Sequence, residues 1–215
     1  DAGITPFAIA AKETWVLGQM ATHFMLDKSK DAAGTVEAIE SGELAFADMP
    51  NWSNFFKFLD LTVEYGPDKP LEIDWETSEN MLANGEAAMI HMGDWCQSTL
   101  DSFNPDANLG FLPFPVGSTE DDATLLSSCN WTYIVNKDSE NLDLAKEYCE
   151  YILTSEEGQK WMCEGVGAVP GVKTDMTVSG KLANDAKTYI AAGKTNGWLH
   201  TIAPNSYADT CGPYI

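Results

Sequence analysis

The chain has 215 residues, 44% of them hydrophobic, which is enough for one large or two small domains with a real core. Its formal net charge is −21, from 33 acidic residues against 12 basic ones, and every basic residue is a lysine. This balance argues against binding to a nucleic-acid backbone or to an anionic membrane surface, and solubility is the simplest explanation of the acidity.

Two amphipathic helices are predicted in the first third of the chain. Apolar residues spaced three and four apart predict a helix over 14–26, and an aromatic stripe over 52–63 predicts a second helix that ends near Gly66. The aromatic side chains of that stripe are expected to pack in the core. The polar segment 27–34 is expected to be a connector.

The segment from Met81 to Trp95 carries the strongest functional signal. A short helix, capped by Thr77 or Ser78, leads into a turn at Asn84-Gly85, because both turn residues tolerate positive φ. The apolar run 87–92 is then predicted to be a buried strand. It ends in Gly93-Asp94-Trp95, at the kind of position where α/β sheets bind ligands. Tryptophan offers a flat apolar face and aspartate offers hydrogen-bond acceptors, and a sugar ring needs both.

The second half of the chain alternates strands with helices, which indicates the α/β class. In chain order we expect an extended segment at 110–115, an acidic loop at 118–124, a strand at 129–135, helices at 139–153, 155–161 and about 179–192, and an irregular segment at 197–215.

Motifs for metal binding and catalysis are not evident. The five cysteines are an odd number with no Cys-x-x-Cys spacing, so no zinc site is expected, and one disulfide is left open. The sequence has no Gly-x-Ser-x-Gly, no phosphate-binding loop and no His-Glu-x-x-His, and the three histidines are expected to be surface or core residues. No apolar run approaches the roughly 20 residues of a membrane span. No cofactor is therefore predicted.

Four blocks, taken in order, resemble the extracellular solute-binding proteins of ABC sugar importers, in the maltodextrin-binding-like group. They are Pro6 to Trp15, Met81 to Trp95, Leu109 to Pro115, and Ile134 to Ala145 followed by Tyr151 to Gln159 and Gly167 to Pro170.

The resemblance implies a periplasmic-binding-protein-like type II fold, in which a mixed sheet is flanked by helices in each of two lobes. Residues 1–125 would form the C-terminal lobe, residues 126–170 would cross the hinge into the N-terminal lobe, and residues 171–215 would return to the C-terminal lobe. The chain is then expected to be a fragment, truncated before the last helices. The implied function is capture of a sugar or oligosaccharide outside the cell, by a periplasmic protein or an anchored lipoprotein, and delivery to the membrane permease.

The resemblance also suggests which residues contact the ligand. Core packing is the alternative for each aromatic ring, and an N-cap role is the alternative for the aspartate. We expect the neighbouring Trp198 and His200 to be structural. The candidate contacts are Trp95, Asp94, Trp15, Glu13, Trp131 and Tyr207.

Two other functions stay open on the sequence. A glycoside hydrolase also surrounds sugars with Trp and carboxylates, but it needs two carboxyl groups about 5–10 Å apart around one bond. A calcium-binding surface module would need a loop of regularly spaced Asp residues, which Asp121-Asp122 does not form.

Overall fold

The computed structural model describes residues 3–26, 31–129, 132–203 and 207–215. The chain forms two compact units. Unit 1 comprises Asp1–Asn108, Leu112–Ser128 and Gly193–Ile215, and unit 2 comprises Leu109–Phe111 and Cys129–Ala192. The chain thus enters unit 2 briefly at 109–111 and again from 129 to 192, whereas the resemblance implies lobe boundaries at 125/126 and 170/171. Which unit corresponds to which lobe stays a prediction.

The described residues form helices, often several in succession, separated by short strands. In chain order they are β1 (Thr5–Phe7), α1 (Thr14–Met25), α2 (Ala32–Glu40), α3 (Trp52–Glu64), α4 (Trp75–Ala83), β2 (Ala87–Met89), α5 (Gln97–Phe103), β3 (Phe114–Pro115), β4 (Ala123–Ser127), α6 (Leu142–Thr154), α7 (Glu156–Lys160), α8 (Lys181–Ala191), β5 (Thr195–Gly197), α9 (Leu199–Ile202) and α10 (Tyr207–Cys211).

Unit 1 holds two small sheets. Strands β1 and β2 pair in parallel, with Phe7 opposite Met89. Strands β3, β4 and β5 form a mixed sheet, in which β3 and β4 are antiparallel and β4 and β5 are parallel, with Ser127 opposite Gly197. The predicted α/β class is confirmed. The parallel pairs matter for function because they bring the carboxyl ends of neighbouring strands to the same edge.

The core of unit 1 is built around α1. Met20 and Phe24, one turn apart on this helix, are 0% and 1% exposed. Phe24 packs against Phe55 of α3 with ring centroids 5.5 Å apart, and Leu199 of α9 belongs to the same cluster. Burial of each such side chain stabilises the fold by about 1.5–3 kcal/mol.

The helices predicted over 14–26 and 52–63 are confirmed. In the second helix Trp52, Phe55 and Leu59 pack on this core. Phe56 and Val63 belong to the same stripe but are 54% and 61% exposed, so the expected core packing of the stripe was only partly right.

Unit 2 is mostly helical. Ser155 caps α7, because its hydroxyl oxygen accepts a hydrogen bond from the backbone N–H of Gly158 at 3.0 Å. A turn of π-helix follows, and it ends at Gly167, whose φ of +71° favours glycine. Cys163 and Val178 lie in a small core of this unit.

Two helix starts differ from the sequence expectations, both because an aspartate caps the helix. The segment 27–34, expected to be a connector, already contains the start of α2, and the Asp31 carboxylate accepts the N–H of Gly34 at 2.8 Å. Helix α4 is capped by Asp74 rather than by Thr77 or Ser78. The Thr77 backbone N–H and hydroxyl both donate to that carboxylate, at 3.0 and 2.6 Å.

Three further expectations were wrong. Residues 132–135 form no regular element, and the strand of this region is β4, which begins inside the expected acidic loop. The strand expected over 87–92 ends at Met89, and two of its three residues are exposed. The segment 197–215 contains α9 and α10 rather than being irregular throughout.

The cysteines carry no disulfide among the residues described, which include all five of them. Cys96 and Cys163 are buried. Within the described ranges no helix combines the length and the apolar character needed to cross a membrane. In that same part of the chain, no cluster of three or more His, Cys, Asp or Glu side chains is arranged to hold a metal ion.

Candidate functional site

Asp94 and Trp95 lie just beyond the carboxyl end of β2, in a single 3-10 turn, Asp94–Cys96, that runs directly into α5. The Trp95 side chain is exposed, at 38% of its surface. The first candidate contact is therefore accessible, and it lies on a short turn between a strand and a helix.

The indole of Trp95 stacks on the indole of Trp198. Their ring centroids are 5.7 Å apart and their planes differ by 10°. Trp198 is 8% exposed and follows β5 directly, and its other neighbour is the His200 ring at 5.1 Å. The stack joins the carboxyl ends of β2 and β5. Trp198 and His200 were expected to be structural, and a glycine precedes Trp198 directly while Gly93 lies two residues before Trp95.

Gly93 lies beneath the face of the Trp95 ring. A Cβ atom at Gly93 would stand 2.1 Å from Cζ3 of the indole and 2.4 Å from both ring neighbours of that atom. Such short distances to three adjacent atoms place the Cβ position over the ring face, because a position beyond the ring edge would be much farther from the two neighbours. The backbone of Gly93 is extended, with φ of −108°. Glycine is therefore needed here for space and not for its torsion angles.

Asp94 is half-buried and directly precedes Trp95. Burial raises the pKa of its carboxyl, while hydrogen bonds from the backbone N–H groups of Asp94 and Trp95 act in the opposite direction. Gly93, and not Asp94, is the N-cap of the turn, so the N-cap alternative for Asp94 was wrong. The carboxyl adds an acceptor to the turn that carries the indole.

Two hydroxyl groups border the stack on the mixed sheet. Ser128 follows β4, and its hydroxyl shares a hydrogen bond with the hydroxyl of Thr201. The Thr201 hydroxyl also donates to the backbone carbonyl of Trp198 at 2.9 Å. These hydrogen bonds thus connect the residues that follow the carboxyl ends of β4 and β5, close to the backbone of Trp198.

Glu13 and Trp15 follow β1, which pairs in parallel with β2. Glu13 occupies the N-cap position of α1 but makes no capping hydrogen bond with its side chain, and Trp15 is half-buried in the first turn. Both residues lie beyond the same edge of the two-stranded sheet as Asp94. Among the described residues, no ring contact joins Trp15 to Trp95, so its part in a site stays a prediction.

The remaining two candidates are placed differently. Tyr207 opens α10 and packs against the core of unit 1, and burial, followed by the nearby Glu40 carboxylate, raises the pKa of its phenol. Core packing accounts for this position, and a ligand contact by Tyr207 stays a prediction. Trp131 lies outside the described residues.

A pair of histidines lies between the two sheets of unit 1. His23 of α1 and His91, which follows β2, have ring centroids 5.1 Å apart, and His23 stacks on Phe114 of β3 at 4.5 Å. Burial lowers the pKa of His23 and lowers that of His91 to about 4. These rings are therefore neutral packing groups at neutral pH, as the sequence allowed.

Comparison with known proteins gives three matches. The model of the bacterial extracellular solute-binding protein family matches residues 1–160. A stretch of 120 residues is 28% identical to an uncharacterized ABC transporter extracellular-binding protein of Pyrococcus horikoshii, and it covers 54% of this chain and 26% of that protein. The fold is similar to the crystal structure of msme from Bacillus subtilis, described as a binding protein and solved in an open conformation.

The match to msme has a TM-score of 0.76 at 18% identity, so it shows the fold alone. It covers 99% of this chain and 54% of the other. The chain thus spans about half the length of this structure, and its matched stretch covers about a quarter of the Pyrococcus protein.

Proposed function

Since the chain belongs to the bacterial extracellular solute-binding protein family, we propose that it captures a sugar or oligosaccharide outside the cell and delivers it to the permease of an ABC transporter. The ligand is bound and released without being converted. Binding shifts the receptor toward its closed form by an amount set by the difference in affinity between the two forms. The protein works in the periplasm or as a lipoprotein anchored at the cell surface.

The observation that carries the proposal is the exposed indole of Trp95, which stacks on the buried indole of Trp198 and directly follows the Asp94 carboxyl in the chain. Sugar rings present apolar C–H faces and hydroxyl edges, which match an aromatic face and a hydrogen-bond acceptor. The absence of arginine from the whole chain disfavours anionic ligands.

The stack also favours binding by holding the indole in one orientation. Gly93 lies on a face of the Trp95 ring and Trp198 stacks on it. Immobilising a free side chain on binding costs about 0.5–1.5 kcal/mol. A ring that is already held avoids much of that cost, so its contact with the ligand contributes more fully to affinity.

The test is a titration of tryptophan fluorescence in the full-length protein with a panel of mono- and oligosaccharides. Trp95→Ala should abolish a saturable signal. Trp75→Ala is the matched control, because Trp75 is also 38% exposed and lies in unit 1, on α4, outside the stack. A folded protein that responds to no sugar would refute the sugar assignment. Equal loss in both variants would refute the special role of Trp95.

A glycoside hydrolase is the alternative, and the same protein tests it. Two carboxyl groups would have to face one sugar. Glu79, on the neighbouring α4, has no exposed surface and cannot reach a ring stacked on Trp95. Bound oligosaccharide should be recovered intact after long incubation. If the oligosaccharide is instead shortened, and Asp94→Asn prevents the shortening, the protein is a hydrolase and the receptor proposal is refuted.

A further inference from the structure

Glu79 is a buried carboxyl group with little to compensate for its charge. It lies on α4, it is 0% exposed, neither of its carboxylate oxygens makes a well-formed hydrogen bond, and only the nearby Thr99 hydroxyl lowers its pKa. An ionised carboxylate in such a place loses its hydration and receives little in exchange, whereas the protonated acid is far less costly to bury. The surroundings of Glu79 therefore favour the protonated, neutral form of its side chain.

The groups around Glu79 come from two neighbouring elements. Helix α4 packs on α5, from which the Thr99 hydroxyl faces the carboxyl, and on β2, whose Ala87–Met89 carries no titratable side chain. On its own helix the nearest charge is Glu76. Burial raises the pKa of Glu79 to about 7, Glu76 adds to the rise and Thr99 partly offsets it.

Glu79 also acts on the turn that carries the candidate site. Cys96, which is 2% exposed, directly follows Trp95, and the pKa of its thiol is raised by burial, then by Glu79 and to a smaller degree by Asp94. The buried carboxyl thus lies near the Asp94–Cys96 turn, and this turn runs directly into α5. A negative charge on Glu79 would be unfavourable where α4 packs on α5, and a shift of α5 would move the turn with it.

We propose that Glu79 is a proton-controlled positioning residue, which holds α5 and the Trp95 turn in the binding-competent arrangement while its carboxyl is protonated and releases them when it ionises. The predicted effect of Glu79 on ligand binding rests on the proposed function. The predicted effect of Glu79 on the Trp95 stack does not, because it should occur without any ligand. Ligand capture should therefore be tighter in mildly acidic surroundings than in alkaline ones.

The size of the effect follows from the population of the competent form. If only protein with neutral Glu79 binds, the apparent Kd is divided by the fraction in that form. With a midpoint near pH 7, the apparent Kd should rise about tenfold between pH 6 and pH 8. Glu79→Gln keeps the shape of the side chain without the ionisation, so its Kd should stay level over that interval.

The experiment follows the circular dichroism of the stacked Trp95 and Trp198 indoles from pH 5.5 to 8.5 without ligand, in the full-length protein. The wild type should change with a midpoint near 7, and Glu79→Gln should not. Glu79→Met is a second neutral variant, in case the amide of Gln destabilises the fold. A wild-type signal that does not change with pH, or a transition retained in either folded variant, would overturn the proposal.

Glu76→Gln is the matched control, because it removes an exposed acid one turn away on the same helix. It should keep the transition and move its midpoint slightly to lower pH, since Glu76 raises the pKa of Glu79. Sugar titrations at pH 6 and pH 8 then test the link to binding. A protein that binds no sugar at either pH refutes the proposed function, while the ligand-free transition still decides the role of Glu79. Sugar binding with equal affinity at both pH values would refute the coupling.

Discussion

Gly93→Ala is expected to dismantle the indole stack although it adds only one methyl group. The new Cβ atom would lie 2.1 Å from the Trp95 ring, where ordinary contact begins at 3.4 Å. The ring must therefore move by more than 1 Å, which changes its present contact with Trp198. An aromatic pair of this kind contributes about 0.5–1.5 kcal/mol beyond the area it buries, and forced overpacking costs about 1–3 kcal/mol.

We expect Gly93→Ala to lower the free energy of unfolding by about 1–3 kcal/mol. It should weaken sugar binding by at least about tenfold, the equivalent of 1.4 kcal/mol. Denaturant unfolding measures the first quantity and fluorescence titration the second, while circular dichroism of the coupled indoles reports the stack itself.

Gly165→Ala is the matched control, since its Cβ atom would lie 3.3 Å from the Trp161 ring and needs only a small adjustment. It should leave the stack and the affinity unchanged. A Gly93→Ala variant with an intact indole signal and wild-type stability would show that Trp95 does not rest on Gly93, and the reasoning about the site would be refuted.

Three further predictions concern stability. Because the pKa of Glu79 is raised from 4.5 to about 7, stability should fall as pH rises from about 4.5 to 7, by up to about 3 kcal/mol, and Glu79→Gln should remove that fall in pH-dependent urea unfolding. Because the pKa of His91 is lowered from 6.5 to about 4, the stability that its neutral form contributes should be lost as pH falls from 6.5 to 4. His91→Phe should therefore lose less stability on acidification than the wild type, and an equal loss would contradict the assignment. Phe24→Ala, which truncates a fully buried ring, should cost about 3–5 kcal/mol in the same assay, and a cost below about 1 kcal/mol would mean that α1 is not central to the core.

Local patterns predicted the elements that depend on neighbouring residues in the chain. The aromatic stripe of α3 follows helical spacing because a single face of it packs on the core. The turn after α4 was predicted from Asn84-Gly85, and Gly85 has a φ of +75°, which is open to glycine at little cost. The strand predicted over 129–135 was wrong because the prediction used local sequence alone. A short apolar run such as 133–135 has the same pattern whether or not a partner strand is present to pair with it.

The candidate site could be predicted only in part. Trp95 was found because it follows an apolar run and a glycine within a few residues. Its partner Trp198 lies about a hundred residues away in the chain, and nothing in either local sequence says that the two strand exits meet. That meeting depends on the parallel pairings of β1 with β2 and of β4 with β5, and on how the sheets pack within unit 1.

Glu79 shows most clearly what the sequence determines and what the tertiary structure decides. The sequence determines the residue type of Glu79 and its place on α4. The block from Met81 to Trp95, read with the other three blocks, was sufficient to indicate the family. As a glutamate on a helix it would be expected to face water, because the ionised side chain is rarely buried without a partner. Only the packing of α4 against α5 decided that it is enclosed, since burial is a property of the elements that surround a side chain and not of the side chain itself.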